Sequence, residues 1–93
     1  MPEEIQNKID LYRQGLSMVF SKAIADKSKI RYHESHNGQP GTFWVSRAFY
    51  SQGGEVVISP TGFKSFTMEE FDAETERLFK QAKDAELKMV GEK

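Results

Sequence analysis

The sequence contains no cysteine among its 93 residues. This absence excludes disulfide bonds and thiolate metal sites, and it favours a reducing compartment such as the cytoplasm. The sequence also lacks any apolar run near the ~18–20 residues that a helix needs to cross a membrane. Its N-terminus carries two acidic residues, Glu3 and Glu4, and no basic one, whereas a signal peptide begins with basic residues. We therefore expect a cytoplasmic protein without a membrane partner.

A large net charge is also absent, since 13 basic and 14 acidic residues give −1. The chain as a whole therefore has no general attraction for nucleic acid or anionic lipid. The charge is unevenly distributed, however. Residues 28–66 hold four basic and two acidic side chains, and residues 67–93 hold five basic and eight acidic ones. This pattern predicts a basic middle and an acidic C-terminal segment.

The length fits one domain that spans residues 1–93. Residues 2–27 are predicted to form the first helix, with apolar side chains on one face and Gly15 inside it. Gly15 either permits close packing of this helix against a neighbouring element or has no structural role. The predicted apolar stripe consists of Ile5, Ile9, Tyr12, Leu16, Val19, Phe20 and Ala23.

Three strands are predicted next, at residues 29–35, 43–50 and 55–59. Glycine-rich segments with turn chemistry separate them, at residues 36–41 and 51–54. Residues 59–62 are predicted to turn, because Pro60 and Gly62 occupy the second and fourth positions.

The second helix has a clear start signal. Thr67 and Glu70 have the spacing of a capping box, and Phe66 and Phe71 have that of a hydrophobic staple. Gly91 is a suitable stop, and residues 90–93 are expected to fray. The predicted fold class is therefore α+β, a helix, a three-stranded antiparallel sheet and a helix (αβββα), with both helices on one face of the sheet.

This order of elements is similar to that of the double-stranded RNA-binding domain. That family bridges the RNA major groove with basic residues at the start of its last helix. The resemblance therefore implies no such RNA binding here, because the corresponding positions are acidic: Glu69, Glu70, Asp72, Glu74 and Glu76.

Residues 43–50 are unusually aromatic, with Phe43, Trp44, Phe49 and Tyr50 among eight positions. Strand side chains alternate between two faces. The inward set is predicted to be Phe43, Val45 and Phe49, with Val56 and Ile58 from the next strand. The outward set is predicted to be Trp44, Ser46, Ala48, Tyr50 and Val57. Arg47 falls on the inward face, so either it reaches an edge or the two faces are reversed.

Motifs for catalysis or metal binding are weak. His33 and His36 flank Glu34, but a structural zinc needs four ligands, so two solvated histidines are the favoured interpretation. The serines, histidines and Asp26 have no spacing typical of a nucleophile and its base. We expect neither an enzyme, nor a cofactor, nor a metal.

Protein binding is the function that these features favour. Tyr32, Trp44, Arg47 and Tyr50 are residue types that dominate interfaces, provided that they share a face or rim. Glu69 and Asp72 offer a second, charged surface on the last helix. The partner is either another protein or a second copy of the chain as a homodimer.

The alternative function is binding of single-stranded nucleic acid through sheet aromatics and nearby basic residues. Small cysteine-free chains without a catalytic set are also typical of phage and mobile-element accessory proteins. Those that inhibit a host enzyme or defence complex are often built this way, and by this analogy of build an inhibitor is one form of the protein-binding hypothesis.

Overall fold

The computed structural model describes residues 2–34, 37–38 and 40–91. The elements are α1 (Glu3–Val19), α2 (Lys22–Lys27), β1 (Lys29–His33), β2 (Thr42–Tyr50), β3 (Val56–Thr67) and α3 (Met68–Gly91). The predicted α+β order is confirmed, with one antiparallel sheet in the order β1-β2-β3. Positions 90 and 91, expected to fray, belong to α3, and residues 92 and 93 lie outside the described part. No helix within the described residues is long and apolar enough to cross a membrane.

The prediction of a single first helix is wrong, because helical geometry is interrupted at Phe20 and Ser21, between α1 and α2. Phe20 leaves helical geometry, with φ −111° and ψ −81°. The Ser21 side chain then caps α2 by accepting a hydrogen bond from the Ile24 backbone N–H at 3.1 Å. A serine oxygen that satisfies a free N–H stabilises a new helix start. Consequently Phe20 and Ala23, placed on the buried stripe, are exposed, whereas Ile24 and Ala25 are buried.

The core lies between the sheet and the pair α1 and α3. Phe43 stacks on Phe71 with ring centroids 3.9 Å apart, and Tyr12 stacks on the same Phe71 at 4.7 Å. Such ring pairs add stabilisation beyond their buried area. Both long helices thus cover one face of the sheet, as expected. The core cluster consists of Ile5, Ile9, Tyr12, Leu16, Ala25, Phe43, Val45, Phe71 and Leu78.

Close packing of α1 on α3 depends on Gly15. A Cβ at this position would lie 3.0 Å from the Leu78 Cβ, so the glycine lets the two backbones approach. The predicted capping box of α3 is confirmed: Glu70 N–H donates to Thr67 Oγ1 at 3.1 Å, and Thr67 N–H donates to Glu70 Oε1 at 2.9 Å.

The third strand is longer than predicted. Residues 63–67 of β3 pair with residues 42–46 of β2, and residues 56–58 pair with residues 48–50. The predicted turn at residues 59–62 lies within β3, as an irregularity between these two paired segments. Turn chemistry here therefore interrupts a strand and does not end it.

The same irregularity reverses part of the predicted alternation in β2. The register shifts between Ser46 and Ala48, so that Arg47 alone opposes four residues of β3. Phe43 and Val45 are buried as predicted, but Ala48, expected outside, is fully buried, and Phe49, expected in the core, is 39% exposed. An unpaired residue in one strand changes the direction of those that follow.

Candidate functional site

One face of the regular end of the sheet is left open by the long helices. In the register, Arg31 lies opposite Trp44 and Trp44 opposite Ser65, and residues two positions away share that face. We call this surface the open face. It consists of Lys29, Arg31 and His33 of β1, Thr42, Trp44 and Ser46 of β2, and Phe63, Ser65 and Thr67 of β3.

A row of aromatic rings crosses the open face over all three strands. The centroid of the Trp44 side chain lies 4.5 Å from that of His33 and 4.7 Å from that of Phe63, with Trp44 and Phe63 nearly parallel at 10°. Trp44 Nε1 donates to Thr42 Oγ1 at 3.0 Å, which satisfies its only polar group. Trp44 is 37% exposed and Phe63 54% exposed. The row is thus an ordered apolar strip at the surface.

The charge of the open face is entirely positive. Lys29 and Arg31 are exposed, and none of the nine side chains is acidic. The positions around the aromatic row carry short hydroxyl side chains, namely Thr42, Ser46, Ser65 and Thr67. The surface therefore combines flat apolar area, hydrogen-bonding hydroxyls and cations, which suits an acidic or polar partner with an apolar patch.

A second candidate site is a cleft on the opposite, helix-covered face. It lies between α1, α3 and the interrupted part of the β2–β3 ladder, and its volume is about 410 Å³. We call it the helix-side cleft. Its polar lining consists of Tyr12, Arg47, Ser59, Lys64, Glu74 and Arg77, and its apolar lining includes Leu16, Phe20, Val45, Phe49, Phe66 and Leu78.

One ion pair and one cation–π contact set the electrostatics of this cleft. Arg77 binds Glu74 with two hydrogen bonds, Nε–Oε1 at 2.7 Å and a second nitrogen to Oε2 at 2.8 Å. This pairing lowers the pKa of Glu74 and raises that of Arg77. Burial, followed by the nearby Glu74 carboxylate, raises the pKa of Tyr12 to about 12, so its hydroxyl stays protonated. The Arg47 guanidinium lies 4.2 Å above the Phe20 ring, a cation–π contact.

The four residues proposed as an interface cluster do not share a face. Trp44 lies on the open face, whereas Tyr32 lies on the covered side against Phe43, with centroids 4.9 Å apart. Arg47 lines the helix-side cleft. Tyr50, 52% exposed, is at the hairpin end, where its hydroxyl lies 3.1 Å from Ser21 Oγ.

The charged surface proposed on α3 is also divided. Glu69 is exposed in the first turn of the helix. Asp72 is half-buried and accepts from Lys8 Nζ at 2.8 Å, which links α3 to α1. His33 contributes to the aromatic row, and His36 lies outside the described residues. Among residues that the structure describes, no group of three metal-binding side chains is present.

The sequence-based prediction did not include Phe63 as a surface aromatic, nor His33 as the ring on the other side of Trp44. The available signal was the alternation of Phe63, Ser65 and Thr67 with Lys64 and Phe66, which predicts a strand. The nearby Pro60 and Gly62 suggested that the chain was leaving the sheet. Tyr12, Lys64 and Arg77 of the helix-side cleft have no local pattern, since three different elements bring them together.

Comparisons of the chain with protein-family models, with curated proteins and with solved structures gave no match. The arrangement of the two surfaces is therefore the basis for a functional proposal.

Proposed function

We propose that this protein is a non-catalytic binding module whose open face contacts a partner protein with an acidic and apolar surface. The observation that carries the proposal is the exposed row His33–Trp44–Phe63, which crosses three strands beside Lys29 and Arg31. Exposed contiguous apolar area of this kind marks contact surfaces. Tryptophan and arginine are also enriched where interfaces gain most of their affinity.

Charge complementarity identifies the kind of partner. A face with two cations and no carboxylate favours an acidic partner and disfavours a basic one. The same argument disfavours a homodimer in which two open faces meet, since Lys29 and Arg31 of each copy would be buried against like charges. A cytoplasmic inhibitor of a larger enzyme or complex is the form of this function that fits a small, single-domain chain.

Single-stranded nucleic acid is the second candidate, and the absence of acidic side chains on the open face favours it. Cations on β1 could contact phosphates while bases stack on rings. The ring geometry favours a protein instead. Trp44 already has a ring neighbour on each side, His33 on β1 and Phe63 on β3, so a base would have to separate them or stack on Phe63 alone.

The experiment compares paired variants that leave the core intact. Trp44→Ala with Phe63→Ala removes the apolar row, whereas Leu11→Ala with Met18→Ala removes similar exposed apolar area from α1. Each immobilised chain is used to capture proteins from the source cell's lysate, after circular dichroism and melting show that it is folded. We expect one partner to be retained by the wild type and the α1 variant, and lost by the open-face variant.

Charge reversal sharpens the assignment. Arg31→Glu should abolish capture of the acidic partner, and Lys80→Glu on α3 should not, although both variants change the net charge equally. If the partner is still captured by the folded Trp44→Ala, Phe63→Ala double variant and by folded Arg31→Glu, the proposal is contradicted. Binding of a labelled single-stranded oligonucleotide, weakening steeply between 50 and 200 mM salt as counterion release requires, would instead establish the second candidate.

A further inference from the structure

The helix-side cleft exists because the β2–β3 ladder is interrupted. Between the pairs Ser46–Phe63 and Ala48–Ile58, β3 contains four unpaired residues where β2 contains only Arg47. Gly62 is one of these four residues, and a Cβ added there would lie 2.7 Å from Ser59 Oγ, so the unpaired segment folds closely on itself. A volume of about 410 Å³ lies within the range of small-molecule sites, roughly 300–1,000 Å³.

The cleft carries an excess of positive charge. Arg77 is neutralised by Glu74, but Arg47 and Lys64 have no salt bridge among the described residues. Arg47 donates one hydrogen bond, to the Ala48 carbonyl at 3.3 Å. A guanidinium has five N–H donors in a planar fork, so donors remain for a carboxylate.

Tyr12 adds a neutral donor from the floor of the cleft. The residue is only 4% exposed, yet its hydroxyl forms no hydrogen bond to another described residue. Every fully buried polar side-chain atom in the described part of the chain has a partner. The Tyr12 hydroxyl therefore borders the open volume of the cleft, where it can donate a hydrogen bond to a ligand oxygen.

The rest of the lining is apolar, with Leu16, Val45, Phe49 and Phe66 around the polar groups. We propose that the helix-side cleft binds a small amphipathic monocarboxylate, whose apolar body lies on these side chains and whose carboxylate contacts Arg47, Lys64 and the Tyr12 hydroxyl. A single negative charge fits better than a dianion, because the Glu74 carboxylate also lines the cleft and repels additional charge. This site is on the opposite side of the sheet from the open face, and either can fail independently.

Octanoate and its neutral analogue octanol are suitable probes, added to the complete ¹⁵N-labelled chain and followed by amide NMR shifts. Octanoate should produce saturable shifts at residues that line the cleft and leave those of the open face unchanged. Octanol should bind about tenfold more weakly, because it lacks a charge-assisted hydrogen bond. Absence of saturable cleft shifts, or equal binding of the two probes, would overturn the proposal.

Matched double variants test the assigned groups. Arg47→Gln with Lys64→Gln should weaken octanoate binding about tenfold, and Lys29→Gln with Arg31→Gln, which removes two charges from the open face, should leave it unchanged. Tyr12→Phe, which deletes only the hydroxyl, should weaken binding about threefold to tenfold. All variants are first checked for unchanged amide spectra away from the substitution. Equal affinity in wild type, the cleft double variant and Tyr12→Phe would overturn the assignment.

Discussion

The first half of β2 lies between two neighbouring strands, whereas its last three residues pair with β3 alone beyond the register shift. In the first half, side chains alternate strictly: Phe43 is fully buried and its neighbour Trp44 is 37% exposed. In the second half, the small Ala48 is fully buried and the large Phe49 is 39% exposed. Alternation therefore assigns faces only where the hydrogen-bonded ladder is continuous.

The difference between the two halves of β2 also accounts for the two candidate sites. The continuous end of the sheet presents the open face, because its register aligns His33, Trp44 and Phe63 across three strands. The interrupted end provides the helix-side cleft, because four residues of β3 leave the ladder opposite Arg47. Regular pairing builds a flat surface, and its interruption builds a concave one.

The largest expected effect on stability comes from replacing phenylalanine by alanine, and it should differ between the two ends of β2. Phe43→Ala should reduce the free energy of unfolding by about 3–5 kcal/mol, because it removes a ring stacked on Phe71 and leaves a cavity. Phe49→Ala should cost about 1 kcal/mol, because that ring is partly in water. Urea unfolding of both variants measures the difference. Equal losses would show that both phenylalanines are core residues and would remove the contrast between the two ends.

Ser28 connects the second half of β2, just past the register shift, to α2. Its hydroxyl donates to the Ile24 carbonyl at 2.6 Å and accepts from the Ala48 N–H at 2.9 Å, and the residue is 3% exposed. Ser28→Ala should cost about 1–3 kcal/mol, since it leaves a buried N–H without a partner. Ser65→Ala on the open face is the matched control and should remain within about 0.5 kcal/mol. An unchanged free energy of unfolding in Ser28→Ala would show that the second half of β2 does not depend on this contact.

Gly62 tests the other side of the interruption. A Cβ there would lie 2.7 Å from Ser59 Oγ and 2.9 Å from Ser59 Cβ, so Gly62→Ala should destabilise the protein by about 1–2 kcal/mol. Ser59→Gly removes both contacting atoms. In a chain that already carries Ser59→Gly, adding Gly62→Ala should therefore cost much less stability than it does in the wild type. Thermal unfolding of the two single variants and the double variant measures the coupling. Strict additivity would mean that the two residues are not in contact.

The smallest effect is a pH dependence at the cleft. Arg77 holds the pKa of Glu74 below its ordinary value of 4.5, so this ion pair stabilises the fold above that pH. The contribution should be lost as the pH falls through the lowered pKa of the folded state. Glu74→Gln should therefore flatten the fall in melting temperature below pH 4.5, while Glu76→Gln should leave it unchanged. Identical acid profiles for wild type and Glu74→Gln would contradict the pairing.

Much of the fold was predictable because its signals are local. The capping box of Thr67 and Glu70 and the order of elements need only spacing and periodicity, and both are confirmed. The break at Ser21 could not be distinguished from a continuous helix, because apolar spacing continues through Phe20. The aromatic row was only half predictable: Trp44 follows from alternation, but Phe63 requires the register between β2 and β3, which no local pattern contains.

The most direct test of the open face uses Trp44, since it is the only tryptophan in the chain. The protein labelled with 5-fluorotryptophan should give one ¹⁹F resonance that is sensitive to solvent because the side chain is partly exposed. Adding the purified partner from the capture experiment should shift this resonance and remove most of its difference between H₂O and D₂O. A bound partner that leaves both the resonance and its solvent sensitivity unchanged would contradict binding through the open face.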